Sequence, residues 1–113
     1  MLKHTQVSKY HAIRTEVDGV SFASKAEARR YSELRLLVKA QEISGLTLQP
    51  RYPLVVTTPA GVPIKVGDYV GDFHYVQNGR IVIEDVKGYD LPLSKWKRKH
   101  TEAQYGVSIV VVR

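Results

Sequence analysis

The chain has no cysteine, which excludes disulfides, thiol nucleophiles and cysteine-ligated zinc or iron–sulfur centres. It lacks an apolar run long enough to cross a bilayer and lacks the hydrophobic stretch of a secretory leader. The expectation is therefore a soluble, cytoplasmic protein with no membrane partner. No low-complexity segment and no internal repeat interrupts it. Acid is scarce relative to base, with 11 Asp and Glu against 17 Lys and Arg and a formal net charge of +6. An excess of this size favours polyanionic partners, of which nucleic acid is the commonest, although solvated lysines alone produce it in many proteins. At 113 residues the chain is expected to form one domain, with residues 1–11 as a flexible basic arm carrying Lys3 and Lys9.

The strongest local signal is Asn78-Gly79 between two strand-like runs, the mark of a two-residue type I′ hairpin. That loop pairs Gln77 with Arg80, and counting outward sets Phe73 against Glu84 and Asp72 against Asp85, with Lys87 on the same face as Asp85. Two facing carboxylates ~5 Å apart repel by about 3 kcal/mol at an effective dielectric near 20. A shared divalent cation would remove that cost. A different register, or protonation of one acid, would remove it too, and the spacing alone leaves these open. A bulge near the turn would also shift the choice from Asp85 to Glu84.

The rest of the chain is read around this hairpin. Asp18-Gly19 marks a second tight hairpin, between residues 12–17 and 20–22. Ser24 and Glu27 form a capping box that opens a helix running to about Glu42, with Gly45 as its stop. Glu27, Tyr31, Leu34 and Val38 share one face of that helix, so Glu27 is either a capping residue, an acid aimed at the sheet, or both. Leu46 to Pro50 leads into a strand from Tyr52 to Thr57, where Pro50 and Pro53 imply an edge or interrupted pairing. Ile64 to Val76 reads as one long arm of the central hairpin. Ile81 to Lys87 is apolar on both faces and is expected in the middle of the sheet.

Leu93 to Gln104 reads as a second helix, with Leu93, Trp96, His100 and Ala103 facing inward and Gly106 as its stop. His100 on such a stripe is more often a satisfied core histidine than a ligand. Lys95, Lys97, Arg98 and Lys99 crowd the other faces and form either a solvated surface or a phosphate grip. Val107 to Val112 is expected as an internal strand.

The order of helix with Glu27, strand, Asp72, then Asp85-Val86-Lys87, basic helix and strand resembles the PD-(D/E)XK nuclease superfamily. Gly71 replaces the proline of that motif. The segments KYHAIRTEVDGVSFASKAEARRY, LQPRYPL, YVGDF and IEDVKG look like small phage and prophage proteins with this nuclease core. The helix glutamate resembles that of archaeal-type Holliday junction resolvases. The resemblance implies an α/β (mixed α+β) restriction-endonuclease-like core, a mixed sheet flanked by two main helices.

It also implies a site in which Asp72 and Asp85, with the Val86 carbonyl and Glu27, hold Mg²⁺ or its substitute Mn²⁺, and in which Lys87 orients the attacking water. The expected activity is that of an Mg-dependent endodeoxyribonuclease acting on branched DNA, working as a homodimer in phage DNA recombination, repair or processing. Lys9, Arg14, Lys95, Lys97, Arg98 and Lys99 are the expected DNA contacts. A catalytically silent nucleic-acid-binding module and a nuclease subunit that needs a partner are the alternatives.

Overall fold

The computed structural model of the protein describes residues 14–113. Both marked turns have the backbone they require: φ is positive at Asp18 (50°) and Gly19 (76°), and at Asn78 (52°) and Gly79 (76°), as a type I′ loop demands at both central positions. They close β1 (Thr15–Val17) on β2 (Val20–Phe22) and β6 (Phe73–Gln77) on β7 (Arg80–Val86). The other elements are α1 (Lys25–Lys39), β3 (Ser44–Leu48), β4 (Arg51–Thr57), β5 (Pro63–Val70), α2 (Pro92–Tyr105) and β8 (Ser108–Val112).

The fold is mixed α+β. A four-stranded sheet runs in the order β3-β6-β7-β8, antiparallel except where β8 lies parallel to β7. β4 and β5 form a separate antiparallel ribbon. The strictly alternating side chains of β7 face two different cores. On one side Val82 and Val86 join Phe22, Tyr31, Leu34, Phe73 and Tyr75 beneath α1. On the other side Ile83 packs with Leu54 and Tyr69 of the ribbon, and Val107 and Ile109 border this second core.

α1 starts as its sequence directs, since Ser24 Oγ accepts the Glu27 N–H at 3.2 Å. It ends earlier than Glu42. Gln41 takes the left-handed conformation (φ 59°), its N–H donates to the Val38 carbonyl, and the Glu42 N–H donates to Leu37. This is a Schellman stop built on glutamine rather than glycine. Gly45 lies inside β3 instead.

The expected single strand from Ile64 to Val76 is broken at Gly71 and Asp72, and its first part belongs to the ribbon rather than to the hairpin. The Gly71 N–H donates to the Pro50 carbonyl at 2.9 Å, a bond that proline in this position could not make. A Cβ on Gly71 would stand 2.9 Å from Ile83 Cγ2 and 3.3 Å from Pro50 Cγ. Gly71→Ala is therefore expected to cost ~1–3 kcal/mol in urea unfolding through overpacking, and Gly71→Pro more.

Two further expectations are corrected. β8 is an edge strand among the described residues, pairing with β7 alone. In α2 the stripe of Leu93, Trp96 and Ala103 faces outward, and the buried side chains are Arg98 and Thr101. The helix turns a polar face inward because hydrogen bonds there are complete: Arg98 forks onto Asp90 (2.9 and 2.7 Å), and Thr101 Oγ1 donates to the Lys97 carbonyl.

Candidate active site

The break at Gly71-Asp72 and the C-terminal end of β7 meet at one end of the sheet. The hairpin register holds over five pairs, from Gln77–Arg80 to Phe73–Glu84. It ends there, and the Asp72 N–H also donates to the Glu84 carbonyl at 2.9 Å. The expected square pairing of Asp72 with Asp85 is thus replaced by an offset. Asp72 Oδ2 reaches past Asp85 and accepts the Val86 N–H at 2.6 Å.

Asp85 projects from the opposite face of β7 to its neighbour Glu84. Its Oδ2 accepts the Tyr69 hydroxyl at 2.9 Å, its Oδ1 lies 3.3 Å from Lys87 Nζ, and Arg98 Nη1 stands 3.9 Å from Oδ2. Glu84 turns toward α1, where Arg30 Nε and Nη2 each donate to it at 2.7 Å and the Tyr75 hydroxyl donates to Oε2. The acid on the side of Lys87 is therefore Asp85. Tyr69, which positions it, carries no local sequence signal, because its inward direction depends on the ribbon pairing that follows the Gly71 break.

Glu27 takes the capping part expected of it and lines a cleft together with Asp72. Its backbone N–H is capped by Ser24, and its carboxylate accepts from the Ala23 backbone. Burial raises its pKa, the Ala23 bond opposes this, and the charge of Asp85 raises it further against Arg14 and Lys87. Asp72 is pushed up to about 7, first by burial, then by the charge of Glu27, with Asp85 a smaller contribution. The main electrostatic cost at this site thus comes from burial and the helix glutamate rather than from facing acids on the hairpin.

Two clefts open at this sheet end. One of about 250 Å³ is lined by Asp68, Tyr69, Asp85, Lys87, Ser94 and Lys97. A smaller one of about 120 Å³ has Phe22, Glu27, Gln49 and Asp72 in its wall. Asp68 Oδ1 is buried without a hydrogen-bond partner among the described residues, while Oδ2 receives Lys65 at 3.2 Å and Arg51 at 3.4 Å.

Among the described residues no three His, Asp or Glu side chains converge as a ready metal cage. The donor chemistry nevertheless suits a hard cation. Asp72 and Glu27 both have raised pKa values in an acid-rich, half-buried setting, and Asp72 retains its proton to about pH 7. Of the expected DNA contacts, Lys95, Lys99 and Arg14 are exposed, Lys97 lines the larger cleft, and Arg98 is 9% exposed and committed to Asp90. Lys9 lies outside the described residues, as does the expected arm at residues 1–11.

No helix among the described residues is long and apolar enough to cross a membrane. No curated protein and no solved structure matches the chain. A family model matches residues 7–111, a span that includes Glu27, Asp72, Asp85 and Lys87. The chain belongs to that family, described as a protein of unknown function (DUF1064).

Proposed function

We propose that the protein is a metal-dependent DNA endonuclease of the PD-(D/E)XK kind, acting on branched DNA. The observation that carries this reading is the gathering of Glu27, Asp72, Asp85 and Lys87 at one sheet end from α1, the β5–β6 break and β7, with Asp72 raised to about 7. Asp72 and Asp85 are the residues to hold Mg²⁺, with Glu27 acting through water, since its carboxylate already accepts from Ala23. A divalent cation held there would supply Lewis-acid polarisation of the scissile phosphate and would make water a better nucleophile.

The chain's own groups do the rest. Lys87 sits 3.3 Å from Asp85, where its ammonium can orient a water and offset the charge that builds on phosphate oxygens. Tyr69 and Arg98 hold Asp85 from its other side. Lys95 and Lys99 lie exposed on α2, the helix that supplies Ser94 and Lys97 to the same cleft, and suit phosphates on either side of the cut. So small a domain is better matched to DNA shape than to base sequence. Cutting both strands of a junction needs two such sites, hence a dimer.

The test is cleavage of junction, flap, duplex and single-stranded DNA with Mg²⁺ or Mn²⁺. Cutting by the wild type should fall ~10²–10³-fold in Lys87→Ala, with circular dichroism unchanged. Folded protein that cuts none of the four with either metal would end the reading of an enzyme that acts alone. One observation favours a partner-dependent form: among the described residues the acids do not converge as a ready cage. That form predicts cleavage only after a second protein is added.

A further inference from the structure

A second opening beside α2 is larger than the acidic cleft. It is a groove of about 540 Å³ between α2 and β4, lined by Val55, Val56, Thr57, Trp96, Lys99 and His100 among others, within the usual size of a ligand pocket. Among the described residues its walls hold no carboxylate. Trp96 is 56% exposed, an unusual position for a large aromatic residue that the helical spacing had directed inward. Its ring meets His100 edge-on at 5.7 Å between centroids, and His100 is fixed in turn by Nε2 at 3.2 Å from the Val55 carbonyl. The indole is thus braced from one side and leaves a face available.

We infer that this groove receives an unpaired nucleobase stacked on Trp96, with the adjoining phosphate on Lys99. An aromatic face beside a cation is the combination by which proteins hold single-stranded nucleic acid without reading its sequence. Charge complementarity favours this occupant. From its start to Lys99 the helix offers Lys95, Lys97 and Lys99 and carries no acid, Arg98 being buried on Asp90. The same helix places Ser94 and Lys97 at the cleft of Asp85 and Lys87, so a strand leaving the groove runs on toward the candidate active site. The inference rests on the nuclease reading for its direction, and it narrows the substrate to DNA with unpaired nucleotides beside the cut, such as a junction core or a flap.

Trp96 is the only tryptophan of the chain, so it reports on its own occupancy. Metal-free protein is titrated with a thymidine oligonucleotide and with a blunt duplex of equal length, following intrinsic fluorescence. Saturable quenching by the single strand is expected, with little from the duplex. By anisotropy of labelled oligonucleotide, Trp96→Ala should weaken single-strand binding roughly 10-fold, Trp96→Phe should retain most of it, and duplex binding should change less than twofold.

Single-strand binding without quenching, or equal weakening for both DNAs, overturns the inference. So does fluorescence that varies with protein concentration alone and tracks a dimer lost in Trp96→Ala, since a second copy would then fill the groove. Quenching without any cleavage in Mg²⁺ or Mn²⁺ upholds the base site and removes the reading of a nuclease that acts alone. Cleavage without quenching does the reverse.

Discussion

Glu84→Ala is expected to destabilise the protein by about 3–5 kcal/mol, the largest single loss in the fold outside the apolar core. Glu84 is 1% exposed at the centre of the sheet. It is tolerated there because Arg30 donates to both of its oxygens at 2.7 Å and the Tyr75 hydroxyl adds a further bond. Burial first, then donation to Glu84, pushes the Tyr75 hydroxyl up to about 12, and the Glu84 carboxylate raises the Arg30 pKa despite desolvation.

Removing the carboxylate leaves the Tyr75 phenol without its acceptor and Arg30, 23% exposed, with only its 3.5 Å contact to Glu33, and the loss of these charge-assisted bonds is the main part of the cost. With total stability of ~5–15 kcal/mol for a domain of this kind, the melting temperature should fall by at least ~12 °C. Replacing the group together, Arg30→Met, Tyr75→Phe and Glu84→Leu, should recover most of the loss, because no charge is then stranded. Thermal unfolding of the single and triple variants decides it. A single variant within about 1 kcal/mol of wild type would mean that water, not α1, serves Glu84.

This cluster also shows what the sequence could and could not reveal. The Asn78-Gly79 turn and period-two alternation were enough to set Glu84 and Asp85 on opposite faces, and the observed pairing agrees residue for residue to Phe73–Glu84. Turn chemistry is local, and so is the Ser24 cap, which also appears as expected. Arg30 as the partner of Glu84 was not legible, because their meeting depends on the angle at which α1 crosses the sheet.

The break at Gly71 escaped for a related reason: it is required by Ile83 and Pro50, neighbours 12 and 21 positions away in the chain. In α2 the hydrophobic period pointed to the wrong face. Helical periodicity assumes that the buried side is the apolar one, and here a complete set of hydrogen bonds around Arg98, Asp90 and Thr101 makes burial of the polar side affordable. β8 misled differently: its solid apolar run reads as an internal strand, yet Val110 is exposed, only Ile109 borders a core, and β8 pairs along one edge.

Asp72→Asn should stabilise the fold while abolishing cleavage. The sign follows from proton linkage. The Asp72 carboxyl titrates near 7 in the folded protein and near ~3.9 when unfolded, so between those values the folded state binds the extra proton and stability falls as pH rises. Below about 4 both states are protonated and the residue contributes no penalty; above about 7 the penalty is complete.

At ~1.4 kcal/mol per tenfold change in acidity, its ceiling is about 4 kcal/mol. Solvent reaching a half-buried group lowers the expected gain in the asparagine variant to ~2 kcal/mol at pH 8. Asparagine keeps an oxygen to accept the Val86 N–H, so the hydrogen bond at 2.6 Å does not cancel the gain. The advantage of the variant should shrink as pH is lowered from 8 to 4.

Mg²⁺ offers an independent reading of the same site. At a hundredfold excess over its dissociation constant it should stabilise the wild type by ~2.7 kcal/mol, and Asp72→Asn, with one charged donor fewer, much less. A variant that melts below wild type at pH 8, together with a wild type indifferent to Mg²⁺ and Mn²⁺, would show that the cost at Asp72 is not relieved by a cation. The buried acid would then be a proton-holding structural group, and the metal centre would have to be abandoned.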